Sequence, residues 1–210
     1  MTKLVEILRE KLPTDVFTDT EVKSLLLGSA DSRYGLIKRA IASDDIIQLR
    51  RGVYSLGKRY QRGPLNLHEL AQRIYSPSYV SLETALSYHG WIPEAAYTVT
   101  SVSTKRSTEF ETTLGIFSYT RIARFNFVGV DRVVHGNSVY LMATPIKALV
   151  DYVCVHKVGN MSALELATSL RIEEPLLKST RREILLQIMN SYKHNRVKRF
   201  VKSLIQEIWS

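Results

Sequence analysis

One cysteine, Cys154, stands among 210 residues, and that scarcity excludes an internal disulfide and any zinc site built on several thiolates. No apolar run approaches the roughly 18 residues of a membrane span, so no transmembrane helix is expected. The chain has no Gly-rich phosphate loop and no Gly-x-Ser-x-Gly elbow. Its first residues, Met1-Thr2-Lys3-Leu4-Val5-Glu6, put an acid where a secretory leader carries its apolar segment. Together these absences predict a cytoplasmic protein that is not bound to a membrane.

What the chain does have is positive charge, with 29 Lys and Arg against 20 Asp and Glu. Residues 1–63 carry a net +4, residues 64–170 are neutral, and residues 171–210 carry +5. The excess lies at the two ends, so contacts with a polyanion are sought there.

Leu4, Ile7, Leu8 and Leu12 recur at helical spacing until Pro13. Thr18-Asp19-Thr20-Glu21 has the capping-box pattern and opens a second short helix through Val22, Leu25 and Leu26. A third helix is expected to open at Asp31-Ser32, either of which can cap it. Leu36, Ile37, Ala40 and Ile41 form its buried stripe, leaving Ser32, Tyr34, Gly35, Lys38 and Arg39 on or beside the opposite face. Arg33 falls nearer the buried side, where an internal partner is expected. Ile46–Arg50 and Val53–Leu56 read as strands joined by the turn Arg51-Gly52.

Three helices followed by a hairpin tipped with Arg50 and Arg51 is the order of a winged helix-turn-helix. Short polar residues at the start of the third helix, with cations one turn later, suit a helix entering a major groove. The expected DNA contacts are Ser32, Tyr34, Gly35, Lys38, Arg39, Arg50 and Arg51, with Arg50 and Arg51 as solvated turn residues the alternative. One such domain covers a half-site, so a dimer or several copies on repeated sites are needed for specificity.

Gly57–Pro64 is basic, bounded by Gly and Pro, and reads as a linker. Beyond it, helices are expected over Leu67–Ile74, Leu82–Leu86 (with Ser81 as N-cap) and from Pro145 through Tyr152. Strands are expected at Tyr79-Val80, Tyr97–Ser103, Gly115–Tyr119, Phe125–Phe127 and Ser138–Met142. The fold class is α+β: a winged helix-turn-helix over residues 1–60, then a mixed α+β domain over 61–210 ending in a helical segment.

Several stretches carry a resemblance. Ser32-Arg33, Leu36-Ile37-Lys38-Arg39-Ala40 and Leu49-Arg50-Arg51-Gly52-Val53-Tyr54 are one group. Ser78–Gly90, with its pattern Ser-Leu-Glu-x-Ala-Leu-Ser-x-His-Gly, Ile92-Pro93-Glu94, Thr98–Ser101 and Ala143–Asp151 are the others. Over roughly residues 30–155 the chain resembles the AbiEi family, antitoxins of abortive-infection toxin–antitoxin systems. The resemblance implies a winged helix that represses its own operon at promoter repeats. It also implies a C-terminal domain that supports neutralisation of a nucleotidyltransferase-like toxin, functionally if not by direct contact. The family includes solitary regulators without a toxin gene.

No enzyme, metal site or cofactor is expected. His68-Glu69 lacks a second histidine at zincin spacing, and Cys154 and His156 lie on opposite sides of a helix. Glu83 and His89 do not share a helical face unless His89 lies past the helix end, and Glu109, Glu111 and Asp131 could form a nuclease-like cluster only if the fold gathers them. A winged-helix-targeted nucleic-acid-processing enzyme and a partner-binding adaptor are the competing classes. A second basic site is a candidate at Lys105 and Arg106 and on the last helix, Val197–Trp209, at Arg196, Lys198, Arg199 and Lys202. Such an amphipathic helix suits nucleic acid, an acidic partner or, though nothing else in the chain points to one, an anionic membrane face, or packs on the core with its cations in water.

Overall fold

The computed structural model describes residues 2–122, 127–136, 138–159 and 161–209, and shows a mixed α+β protein. Among the described residues no helix is long and apolar enough to cross a membrane. The chain opens with α1 (Lys3–Lys11), β1 (Val16–Thr18), α2 (Asp19–Leu25), α3 (Ala30–Ala42), β2 (Ile46–Arg50) and β3 (Val53–Leu56). The expected capping box is present at α2, where the Thr18 hydroxyl accepts from the Glu21 amide at 3.3 Å and the Glu21 carboxylate accepts from Thr18 N at 2.7 Å. Helix α3 starts earlier than expected. Ser29, not Asp31 or Ser32, is the cap, its hydroxyl accepting from Ser32 N at 3.2 Å. Strand β1 has no counterpart in the sequence reading, because three residues are too few to show a period. It becomes a strand by pairing antiparallel with β3 in a sheet of order β1-β3-β2.

The stretch Gly57–Pro64 is not a free linker. Its two arginines are drawn back by buried carboxylates: Arg59 onto Asp45, and Arg62 onto Asp15 and the Arg9 and Leu12 carbonyls. Gly57 passes so close to the Asp44 carbonyl that a Cβ there would lie 2.0 Å from it. Burial alone would push the Asp45 carboxyl up, but hydrogen bonds led by Arg59 hold it below its ordinary value.

The larger body contains α4 (Leu67–Ile74), β4 (Ser78–Val80), α5 (Leu82–Tyr88), β5 (Thr98–Ser103), β6 (Thr108–Thr112), β7 (Gly115–Arg121), β8 (Val130–His135), β9 (Ser138–Ala143) and α6 (Pro145–Val155). Strands β4 to β9 make one sheet of order β6-β7-β5-β4-β9-β8, parallel at β4–β9 and β5–β7 and antiparallel elsewhere. Edge strands β6 and β8 were not anticipated. Phe125 and Asn126 of the expected strand lie outside the described residues. Alternation along the strands sends Tyr119 to one face, where its hydroxyl donates to Ala71 O of α4 at 2.6 Å. It sends Tyr79 to the other, where its hydroxyl donates to Asp151 of α6 at 2.8 Å. The C-terminal segment forms α7 (Ala163–Ser169), α8 (Glu174–Lys178), α9 (Arg182–Ser191) and α10 (Asn195–Trp209), with α10 packed on α6, α7, α8 and α9.

Asp151 is fully buried and gathers four elements. It accepts from Tyr79 (β4), from Ser81 at 2.7 Å, from Lys147 Nζ at 3.0 Å and from Tyr192 just beyond α9. Lys147 is itself 2% exposed. Ser81, expected to cap α5, stands at the N-cap position but spends its hydroxyl on Asp151.

Two outcomes follow. Asp151→Ala should lower unfolding free energy by about 3–5 kcal/mol in denaturant titrations, because it strands Lys147 in the core, and pairing it with Lys147→Met should recover much of the loss. For Asp45, whose folded pKa is depressed, the stabilisation is present above the ordinary carboxylate value and is lost as pH falls through the lower folded one. Asp45→Asn should therefore flatten stability against pH below about pH 4 and leave the neutral-to-alkaline limb unchanged.

Candidate nucleic-acid interface

Helix α3 buries Ile37 and Ala40 and leaves Ser32, Lys38 and Arg39 exposed, with Tyr34 at 66% and Gly35 half-buried. Arg33 is half-buried and donates to the Gly28 carbonyl, and it also lines a cleft beside the helix. This cleft of about 700 Å³ lies between α3 and the β2–β3 hairpin, lined by Asp19, Lys23, Arg33, Tyr34, Arg51 and Tyr54 among others. The hairpin turn is pinned there, since Asp19 N donates to Gly52 O at 3.1 Å. Gly52 has φ +77°, and a Cβ on it would meet Asp19 Oδ2 at 3.0 Å, so its backbone favours glycine and its space does too.

The two expected hairpin arginines part company. Arg51 is exposed. Arg50 is half-buried: its Nε donates to the Ile74 carbonyl, an NH group donates to Arg51 O at 2.9 Å, and its guanidinium lies 5.9 Å from the Phe110 ring centre. The cause is a β-bulge. Gln48 pairs with Tyr54 but Arg50 with Val53, so the register slips by one residue and Arg50 is re-aimed towards α4. As placed, Arg50 is a bridge between the hairpin and the larger body, not a free cation at the hairpin tip.

The second group of cations divides as well. Lys105 and Arg106 are exposed on the β5–β6 turn beside the end of α4. Lys198, Arg199 and Lys202 are exposed and Arg196 half-buried on α10, whose other side buries Val197, Phe200, Val201 and Leu204. These are separate surfaces, because α10 is stacked on the helices over α6.

Neither family models nor curated proteins gave a match to this chain.

The residues weighed for catalysis are not brought together. Glu109 and Glu111 lie on β6 and Asp131 on β8, the opposite edges of a six-stranded sheet, about 24 Å apart at the usual strand spacing. His156 pairs with Glu83 at 3.1 Å, and the His89 ring bonds the Ala143 carbonyl at 3.0 Å. The Cys154 thiol is pushed up by burial and by the nearby Asp151 carboxylate, the direction that makes a thiol less reactive. Among the described residues no group of three His, Cys, Asp or Glu could hold a metal ion.

Missed by sequence reasoning were Asp15 and Asp45, the partners that immobilise Arg62 and Arg59, and the role of Arg50. The first two carried one readable signal: acids flanking the apolar runs, with Arg59 and Arg62 near the start of the next segment. The bulge carried none. Replacing Arg50 with Met should cost about 1–3 kcal/mol of stability by thermal or denaturant unfolding, since the Ile74 carbonyl loses its donor. Arg51→Met should change stability by less than about 0.5 kcal/mol.

Proposed function

We propose that residues 1–60 form a winged helix-turn-helix that binds double-stranded DNA, that residues 61–210 form a second domain, and that the protein is a transcriptional repressor. The observation that carries this reading is a cleft lined by Tyr34 of α3 and by Arg51, which faces it from the hairpin, with Ser32, Lys38 and Arg39 exposed on the same helix outside that lining. Lys38, Arg39 and Arg51 form no ion pair among the described residues, so their charge is available for phosphates. Arg50 is withdrawn from the contact set by its bonds to Ile74 and Arg51. The module covers a half-site, and binding as a dimer or as several copies on promoter repeats completes the operator.

The antitoxin role is supported by the resemblance to the AbiEi family, and we assign it as the second part of the same reading. The protein then counteracts a nucleotidyltransferase-like toxin encoded beside it, and no catalytic step of its own is part of the scheme.

Gel-shift and anisotropy titrations with the DNA upstream of its own gene test the first part. The three phosphate contacts of the winged helix should contribute about −2.7 per protomer to the log–log salt slope. Lys38→Ala, Arg39→Ala and Arg51→Ala should each reduce its magnitude by about 0.9, while Arg50→Met should leave it unchanged. No specific retardation by a folded protein would sink the DNA-binding reading, and metal-dependent loss of the probe would replace it with a nuclease. For the second part, co-expression with the neighbouring gene product should relieve growth arrest. A neighbour whose toxicity is unaffected leaves a solitary repressor.

A further inference from the structure

We propose that the β5–β6 turn, carrying Lys105 and Arg106, is a further phosphate-contacting segment of the same DNA footprint, an inference that rests on the winged-helix reading. The two basic turns are neighbours through a short run of contacts. Arg50, one residue before Arg51, donates to the Ile74 carbonyl. The next residue, Tyr75, donates its hydroxyl to the Arg106 carbonyl at 2.9 Å. Its ring packs 5.8 Å from Phe110 and 5.0 Å from Tyr119, and Phe110 in turn lies under the Arg50 guanidinium.

The β5–β6 turn is held as well as placed. Ser103 Oγ donates to Pro77 O at 2.7 Å and accepts from Lys105 N at 3.1 Å. Lys105 Nζ sits 5.2 Å from the Tyr75 ring, which steadies the stem while the side chain stays exposed. Arg121, also exposed, is drawn to the same end of the sheet, where its amide donates to Ser107 Oγ at 2.9 Å. Among the described residues none of Arg51, Lys105, Arg106 and Arg121 forms an ion pair. The nearest acids along the strand, Glu109 and Glu111, alternate with Phe110 and so leave β6 on the face opposite to Arg50. Cations on an exposed turn, and not on a helix or ribbon that could seat in a groove, suit the DNA backbone more than base edges, so the contribution is to affinity and salt dependence and not to sequence preference.

The full-length protein is titrated by anisotropy with a labelled duplex of its upstream DNA, and with a scrambled duplex, between about 50 and 200 mM salt. Lys105→Ala/Arg106→Ala should reduce the magnitude of the slope by about 1.8 and weaken both duplexes alike. Arg181→Ala/Arg182→Ala, which removes equal charge from the start of α9, should leave the slope at the wild-type value. A turn variant with a wild-type slope, while Lys38→Ala/Arg39→Ala still lowers it, overturns this inference and leaves the winged helix standing. Equal losses from the two charge-matched double variants also overturn it, as an effect of bulk charge. No binding of either duplex by the wild type overturns both readings. Circular dichroism at each variant's assay temperature confirms the fold in every arm.

Discussion

The larger body depends on one buried carboxylate. Asp151 joins β4, the start of α5, α6 and the end of α9 through four side-chain donors, and it has no contact with solvent. Burying a charge is costly, and the cost is recovered only when the geometry satisfies every lone pair. The donors come from the β4–α5 junction (Tyr79 and Ser81), from Asp151's own helix (Lys147) and from the residue after α9 (Tyr192), so the carboxylate is fully satisfied only when sheet, helix and C-terminal cluster are all in register. The phenols follow the same logic: burial first, and then Asp151, raise Tyr79 and Tyr192 well above their ordinary values, which keeps both as donors. An apolar core of similar volume could hold these elements with equal strength, but it would not discriminate among neighbouring registers so sharply.

The join between the first unit and the body uses the same device at lower stakes. Val16, Leu49 and Val53 leave the N-terminal core and pack in the larger one. Arg50 reaches across to the Ile74 carbonyl, and within the first unit Arg59 and Arg62 each serve a carbonyl or carboxylate that would otherwise lack a partner. Guanidinium groups suit this work because several fixed donors can serve several acceptors at once, as Arg62 does for Asp15, Arg9 and Leu12. Three of the N-terminal excess cations are thereby spent on structure, which is why net charge overstated the number free to meet a polyanion.

Much of the fold was legible because it is written locally. The capping box at Thr18, the stripe of α3, the hairpin with Gly52 and the amphipathic α10 each depend on residues a few positions apart. What escaped depends on partners far along the chain. Strands β6 and β8 alternate weakly, and their edges are defined by β7 and β9. Ser81 looks like a cap by sequence, and only the arrival of Asp151 seventy residues later redirects it. Of the candidate site, the helix face was readable from its period, whereas the place of Arg33 in the cleft beside Tyr34 and Arg51 was not. The fate of Arg50 was not readable, since a one-residue bulge reverses the side of a strand without leaving a mark in composition.

That reversal has a consequence for the proposed function. A free Arg50 would add one phosphate contact to a mobile hairpin. The half-buried Arg50 instead ties the hairpin to the Ile74 carbonyl and Phe110, and through the adjacent Tyr75 to the β5–β6 turn. Ordering flexible cations on binding costs conformational entropy, roughly 0.5–1.5 kcal/mol for each long side chain immobilised, and more when a loop must be ordered too. Fixing the backbone of both turns beforehand removes the loop part of that cost and leaves only the side chains to settle. On the proposed function, one phosphate contact would be exchanged for a fixed spacing between two basic turns. If affinity comes mainly from phosphates at set intervals along a duplex, a preset spacing between the turns spares the loop-ordering cost that a mobile hairpin would incur.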